Sequence, residues 1–368
     1  MANRDVSYLV QLLRMIGKII VGGLVIVFMF SIAGALLSPQ VSEPTTDEPS
    51  YNYVYGDTDS ENYLLKLNVM GPILGVPMFS DPGPFGFIIS GLATYGYSVK
   101  QALKEAAEDD DIKGVFIHMV TPGGTVFGSM AIFEGIKNYR EQTGNPVVVY
   151  IEGLSASGGV MAMVGADAIY ADAGSFIGSI GVIGGSILYY DEPTALQGGI
   201  LGGGVTTEGG IEQTVIYAGR GKDLGNPYRR ITEEEKASLQ KGVDSLYRDF
   251  VDHVAEARNM SPDIIIGEMG AQIFENKQAE AYGLIDGTRS YDGSIEELAR
   301  LAEIEDDYKL VKRHYQRVSA WQRLLMWGRD TTPSASRIES GLQVDLCTAS
   351  RQQALVYFGL PAQLCTVR

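Results

Sequence analysis

Residues 147–159 read VVVYIEGLSASGG. Five β-branched or aromatic residues in succession predict a strand buried on both faces, since a half-exposed strand would alternate in polarity. The small residues behind them predict a tight turn that opens into a helix at Gly158. Ser157 then sits in the turn with its hydroxyl exposed, and the amides of Gly158 and Gly159 precede the first helical hydrogen bond. Those amides face any oxyanion that forms beside the hydroxyl, and the glycines let another backbone come close. A nucleophilic serine fits this pattern. So does a helix N-cap serine in a crowded turn, and Ser155 lies in the same segment.

Upstream, residues 114–120 (GVFIHMV) predict a second buried strand that ends in Thr121-Pro122-Gly123-Gly124. A helix with Phe127, Ile132, Phe133 and Ile136 at helical spacing follows, and Asn145-Pro146 leads into the strand at 147. Strand, glycine turn, helix, strand, turn and helix form a βαβ series. The expected fold is therefore α/β with a largely parallel sheet and functional loops at the carboxyl ends of its strands. The two glycine turns then lie side by side, and the Gly124 amide becomes a second oxyanion donor opposite Ser157.

Elsewhere, residues 62–70 predict a first strand, and Ser98 predicts the cap of a helix running to about residue 108. Residues 168–171 form a short strand, and residues 175–185 (SFIGSIGVIGG) continue with small residues that permit close backbone approach. The glycine-rich run at 197–210 reads as a surface loop. Residues 214–218 resume a strand that opens into GRGKD, with Lys222. Thr232 and Glu235 form a capping box for a long helix, whose Leu239, Val243, Leu246, Phe250 and Val254 make one apolar stripe. Residues 264–286 add a helix, a turn and a strand ending in GLID.

A nucleophilic serine needs a base. The three histidines are His118 in a strand, His253 on a helix and His314 in a basic tail. None lies between Ser157 and residue 252. A lysine substitutes when burial favours its neutral amine, the only form that accepts the serine proton. Lys222, among Gly219, Gly221 and Gly225, is placed for that role. An ordinary surface lysine is the competing reading, and Asp223 beside it would oppose deprotonation if the two side chains met.

The 368 residues hold one large domain or two ordinary ones. A net charge of -16 disfavours nucleic acid, which needs a concentrated basic face. No cofactor is expected, and three histidines and two cysteines supply a metal site poorly. Residues 19–37 (IIVGGLVIVFMFSIAGALL) are uncharged and long enough to cross a hydrocarbon core, with a cleaved signal peptide as the alternative. Arg4, Arg14 and Lys18 before them and Asp47 and Glu48 after them put the N-terminus in the cytoplasm and the bulk of the chain outside. Cys347 and Cys365 would then lie on the oxidising side, free to form one disulfide or to stay as buried thiols.

The expected layout is a cytoplasmic N-terminus (1–18), a transmembrane helix (19–37) and a flexible linker (38–61) rich in Pro, Ser, Thr and acids. A catalytic domain (62–300) follows, and then a basic amphipathic segment and tail (301–368). In residues 309–329 six Lys or Arg and no acid surround Trp321 and Trp327, which suits either a membrane surface or packing on protein. Phe79, Phe85 and Phe87 mark an irregular loop that faces a partner or the membrane.

The ordered set TPGG, SASGG, GSIGV, GRGKD and GLID, behind an N-terminal anchor, resembles the signal peptide peptidase A (protease IV) family of membrane-anchored serine proteases. That family lies within the Clp protease and crotonase superfamily. The likeness covers about residues 63–298, in the short single-repeat form. It implies repeated Clp/crotonase-like βαβ units, with Ser157 as nucleophile, Lys222 as general base and Ser179 as the hydroxyl that orients the lysine. It also implies Gly124 and Gly158 as oxyanion donors, and peptide bound as an added strand against Gly123, Thr125 and Gly178. The implied substrates are released signal peptides and other short hydrophobic peptides. The implied assembly is a homo-oligomer whose sites are shared between protomers.

Two other function classes fit the same fold. A crotonase-type acyl-CoA enzyme would need neither Ser157 nor Lys222, and neither would a catalytically inactive membrane scaffold.

Overall fold

The computed structural model describes residues 51–76, 93–185, 187, 189–191 and 215–313, and the backbone of residues 355–357. In chain order the first elements are β1 (Tyr51–Gly56), β2 (Tyr63–Met70), β3 (Ile73–Leu74), β4 (Thr94–Tyr95) and helix α1 (Gly96–Ala106). Next come β5 (Ile112–Thr121), β6 (Gly123–Thr125), α2 (Val126–Thr143), β7 (Val147–Ala156), α3 (Gly158–Met163), β8 (Ala168–Ala171) and β9 (Phe176–Gly178). The last are α4 (Glu233–Arg258), a π-helical turn (Ile264–Met269), β10 (Ile273–Glu275), α5 (Asn276–Ala281), β11 (Gly287–Thr288), α6 (Tyr291–Leu301), β12 (Lys309–Arg313) and β13 (Leu355–Tyr357).

The main sheet runs β1-β12-β2-β5-β7-β8-β11. All neighbours on this path are parallel except β1 and β12. Val115 pairs Val147, Met119 pairs Ile151, and Val149 pairs Ile169. Side chains alternate between two covered faces. Val115, Ile117 and Met119 enter a core with Ile132, Ile136 and Val160, whereas Phe116 and Val148 enter a second core with Ile295 and Leu298. Burial on both faces explains the unbroken apolar runs of β5 and β7. Each fully buried Val or Ile stabilises the fold by about 1.5–3 kcal/mol. The expected α/β architecture with a largely parallel sheet is present.

Local chemistry sets several boundaries. Thr125 caps α2, its side chain accepting from the Gly128 amide at 3.3 Å, and Gly144 closes the helix at φ 73°. The capping box of Thr232 and Glu235 starts α4 as expected. Helix α1 instead begins at Gly96, with Tyr95 as its N-cap, two residues before the expected Ser98. Packing decides this start: a Cβ on Gly96 would lie 1.9 Å from the Gly128 carbonyl oxygen, so only glycine lets α1 open against α2.

Five other expectations change, the last at GLID. The linker assigned to 38–61 ends in a strand, because β1 pairs with β12 and Tyr51 stacks edge-on against Tyr63 and donates to Asp109 at 2.6 Å. The same pairing makes Lys309–Arg313, in the part assigned to the basic amphipathic segment, a strand of the main sheet. Residues 215–217 form no strand among the described residues, and Ile216 is 97% exposed. In α4 only Phe250, Val251, Val254 and Ala255 are buried, whereas Leu239 is exposed and Val243 and Leu246 are half-buried.

GLID is not itself a strand. Leu284 and Ile285 are buried, and Asp286 ties them to β8 by accepting from the Ile169 amide and to the end of α4 by pairing with Arg258, both at 2.8 Å. Residues 19–37, the loop with Phe79, Phe85 and Phe87, the run at 197–210, both tryptophans, His314 and both cysteines lie outside the described residues. Among the described residues no helix is long and apolar enough to cross a membrane.

Candidate active site

Strand β7 delivers its chain into Ser157, which takes φ 53° and ψ −111° and is only 1% exposed. A non-glycine residue held at positive φ between a buried strand and a buried helix is strained, and such strain concentrates at functional sites. Two backbone bonds hold it there. The Ser157 amide donates to the Gly178 carbonyl at 2.7 Å, and its carbonyl accepts the first helical bond of α3 from Met161 at 3.0 Å. The amides of Gly158 and Gly159 precede that bond and have no partner within the helix. The Ser157 hydroxyl donates to the Gly181 carbonyl at 3.4 Å.

Ser155 is a different kind of residue. Its hydroxyl is fully buried between the Met119 and Met163 sulfurs at 3.1 and 3.3 Å. It packs the turn: a Cβ on Gly159 would lie 2.8 Å from its oxygen and 2.7 Å from Thr121 Cγ2.

Strand β9 runs parallel beside the end of β7, with Ser155 opposite Ile177 and Ala156 opposite Gly178. Ser157 and Ser179 therefore follow as the next residues of the two strands. Ser179 is also buried at positive φ, 56°, with its amide bound to Gln272 at 2.6 Å. Gly178, at φ 140°, permits this pairing, because a Cβ there would meet the same Gln272 oxygen at 2.4 Å.

On the other side of the turn, β6 packs against α3. The Gly123 amide donates to Thr121 at 3.0 Å, and Gly124 lies so close to β3 that a Cβ would be 1.9 Å from the Ile73 oxygen. Thr125 is buried as the α2 cap. The structure thus gathers Ser157, Gly158, Gly178 and Ser179 around one turn, and sets Gly123, Gly124 and Thr125 on the strand that packs against its helix.

Lys222 is not gathered with them. It is exposed in a turn closed by its own amide on the Gly219 carbonyl at 3.1 Å. Its amine makes no hydrogen bond or ion pair among the described residues. Asp223, which sequence proximity set against it, is committed elsewhere. The Arg229 guanidinium grips both Asp223 oxygens at 2.7 Å and reaches Glu235 at 2.7 Å. Arg229 holds the Asp223 carboxyl below its ordinary range and the Glu235 carboxyl down to about 2.

Neither described histidine touches Ser157. His118 lies on the opposite sheet face, its Nε2 2.6 Å from Glu152 and its ring beside Tyr150 and Tyr291. His253 was not singled out by its sequence context, yet its Nε2 lies 2.9 Å from the Met161 carbonyl and its ring meets Phe133 edge-on. It therefore ties α4 to the helix that begins at Ser157. Burial lowers the pKa of both rings.

A parallel α/β sheet that delivers a strained serine into a glycine-started helix defines an enzyme-like class with a candidate nucleophile turn. Residues 139–305 match the family described as Peptidase family S49. A putative protease of Synechocystis sp. is 31% identical over 210 residues, 57% of this chain and 70% of that one. The chain belongs to peptidase family S49.

A putative protease of Methanocaldococcus jannaschii is 35% identical over 204 residues, 55% of this chain and 61% of that one. A putative signal peptide peptidase of Enterococcus faecium is 28% identical over 269 residues, 73% and 70% of the two chains. The matched region is thus less than two thirds of the archaeal relative. Among solved structures, a membrane-bound stomatin-specific protease in complex with a substrate peptide aligns at 14% identity over 73% of this chain and 99% of that one, with a TM-score of 0.38.

Proposed function

We propose that this chain is a serine endopeptidase with Ser157 as nucleophile and Lys222 as general base, acting on signal peptides and other short hydrophobic peptides. The observation that carries the reading is the strained, buried Ser157 at the end of β7, held by the Gly178 carbonyl and followed by glycine amides. Membership of peptidase family S49 supports it.

In the proposed reaction the neutral Lys222 amine takes the Ser157 hydroxyl proton while the oxygen bonds to the scissile carbonyl carbon. The Gly158 and Gly124 amides donate to the resulting oxyanion. Collapse breaks the C–N bond, the lysine returns its proton to the leaving amine, and water then hydrolyses the acyl-serine by the reverse proton path. Ser179 orients the lysine amine.

Lys222 is exposed in the single chain, so the proposal includes a homo-oligomer in which a neighbouring copy brings its lysine to Ser157. Exposed Val215, Ile216, Tyr217, Leu224 and Leu239 in the same part of the chain supply apolar surface for that contact. Residues 19–37 supply a single membrane anchor, with the N-terminus cytoplasmic and the catalytic domain outside. The unengaged lysine also favours one competing reading, a catalytically inactive scaffold.

Hydrolysis of a quenched hydrophobic peptide separates the two. The enzyme reading expects Ser157→Ala to abolish turnover and Ser155→Ala to keep most of it. Turnover that survives Ser157→Ala, or is absent from the folded wild-type oligomer, refutes it.

A further inference from the structure

Strand β7 does not reach Ser157 in regular pairing. Against β5 it keeps register as far as Met119 opposite Ile151, and the next pair is Thr121 opposite Ser155, which leaves two residues over on β7. On its other side it pairs with β8 as far as Ile151 opposite Ala171 and resumes on β9 with Leu154 opposite Phe176. Glu152 and Gly153 therefore form a bulge at which β7 changes neighbours, from β8 to the strand that leads to Gly178 and Ser179. An even surplus keeps the pleat in phase, so Ser155 still enters the core that Met119 and Ile151 share.

Two ties hold the bulge. Within the ladder, the fully buried Ser175 hydroxyl accepts from the Gly153 amide at 2.9 Å and donates to the Ile151 carbonyl at 3.2 Å. It satisfies an amide that the interrupted ladder leaves without a strand partner, and Gly153 takes φ 80°, which glycine adopts without strain. The loop before Ser175 is itself fixed, because the buried Asn276 side chain donates to the Asp172 carbonyl at 2.7 Å. On the opposite sheet face, a Glu152 oxygen lies 2.6 Å from His118 Nε2 and joins the bulge to β5. Beyond the bulge only Leu154, Ser155 and Ala156 precede Ser157.

Resting on the peptidase reading above, we propose that Ser175 and the His118–Glu152 pair are positioning residues that place Ser157 for its reaction. Neither makes a hydrogen bond to Ser157. They fix the bulge, the bulge sets β9 against β7, and that pairing puts the Gly178 carbonyl where it binds the Ser157 amide at 2.7 Å. A displacement of about 1 Å in a reacting group costs up to about 100-fold in rate. A loosened bulge therefore lowers kcat and leaves KM close to its starting value.

The test follows the Ser157 amide of the full chain by hydrogen–deuterium exchange, which needs no turnover, beside kcat and KM on a quenched hydrophobic peptide. In Ser175→Ala the amide is expected to exchange about tenfold faster, the factor that one lost hydrogen bond produces, with kcat lowered to a similar extent and KM within about twofold of wild type. Glu152→Ala is expected to change exchange and kcat about threefold, because the Glu152 side chain is 58% exposed and such pairs are weak. Glu152→Gln keeps an accepting oxygen and recovers most of that loss. Ser294→Ala is the control, since it removes a buried hydroxyl that donates to the Ser290 carbonyl at 2.9 Å on α6, away from the bulge, and leaves exchange at Ser157 and kcat unchanged. Wild-type exchange and kcat in both Ser175→Ala and Glu152→Ala overturn the assignment, and so does an equal loss in Ser294→Ala. The Glu152 variants alone decide it if Ser175→Ala does not fold. If the folded wild type has no turnover while exchange at Ser157 still responds to these variants, the peptidase reading fails and the hold of the bulge on Ser157 stands.

Discussion

Ser157 and Ser179 stand side by side at the ends of two parallel strands, one residue beyond the Ala156 and Gly178 pair, and both hold positive φ, at 53° and 56°. The Ser157 amide reaches across to Gly178, and the Ser179 amide reaches outward to Gln272. The two hydroxyl-bearing residues are thus fixed by one ladder that continues from β7 through β9 to β10.

That ladder makes Gly178 a sensitive position in the site. Gly178→Ala would place a methyl 2.4 Å from the Gln272 oxygen at a φ of 140°. The substitution should cost about 1–3 kcal/mol from overpacking and backbone strain and should lower turnover as well. Thermal unfolding beside a peptide assay checks it, and an unchanged Tm with full turnover would show that the ladder does not hold the serines.

Acid should weaken the α3 to α4 contact. Burial lowers the folded-state pKa of His253 and of His118 below 6.5, so the unfolded chain binds protons first as pH falls. Their contribution is complete above about pH 6.5 and is lost as pH drops through the lower folded values. Tm measured between pH 8 and pH 5 should fall, and His253→Gln, whose amide still donates to the Met161 carbonyl, should show a smaller fall. An identical pH dependence in the variant would remove His253 from the account.

Much of the site was legible because its signals are local. The apolar run of β7, the small residues after it and the glycine turn after β5 mark a buried strand, a tight turn and a helix start, and all three are present. The misses are those that packing decides. Residues 214–218 carry strand formers, yet strand preference expresses pairing and burial, and the described residues 215–218 find no strand partner among the described ones. The tyrosines of β1 alternate in YNYVY, a signal hidden by the Pro, Ser and acidic residues before them. Nothing in a three-residue segment such as Leu355–Tyr357 announces that it will lie along β6. The Arg229 clamp that separates Asp223 from Lys222 is likewise a tertiary fact.

That clamp yields a prediction about the loop. Arg229→Ala releases Asp223 and Glu235, so residues 219–225 lose their tie to the start of α4. Turnover should fall severalfold and the Tm should fall as well, because the Asp223 side chain is only 5% and the Glu235 side chain 13% exposed, and both carboxylates lose the cation that partners them. A variant with wild-type kcat/KM would separate the loop's position from catalysis.

If sites are shared between copies, inactive Ser157→Ala and Lys222→Ala proteins should complement each other. Dissociated, mixed and reassembled, they should regain partial turnover, because some interfaces then hold one intact serine and one intact lysine. Mixed oligomers shown to form yet staying inactive would place both groups within one protomer.

An activated nucleophile at Ser157 reacts with a fluorophosphonate probe, and mapping of the labelled peptide locates the adduct. A single adduct on Ser157 is expected, formed by the wild type and by Ser155→Ala but not by Ser157→Ala, and formed far more slowly by Lys222→Ala. An adduct on another residue, or a folded and assembled wild-type protein that forms none, would contradict it.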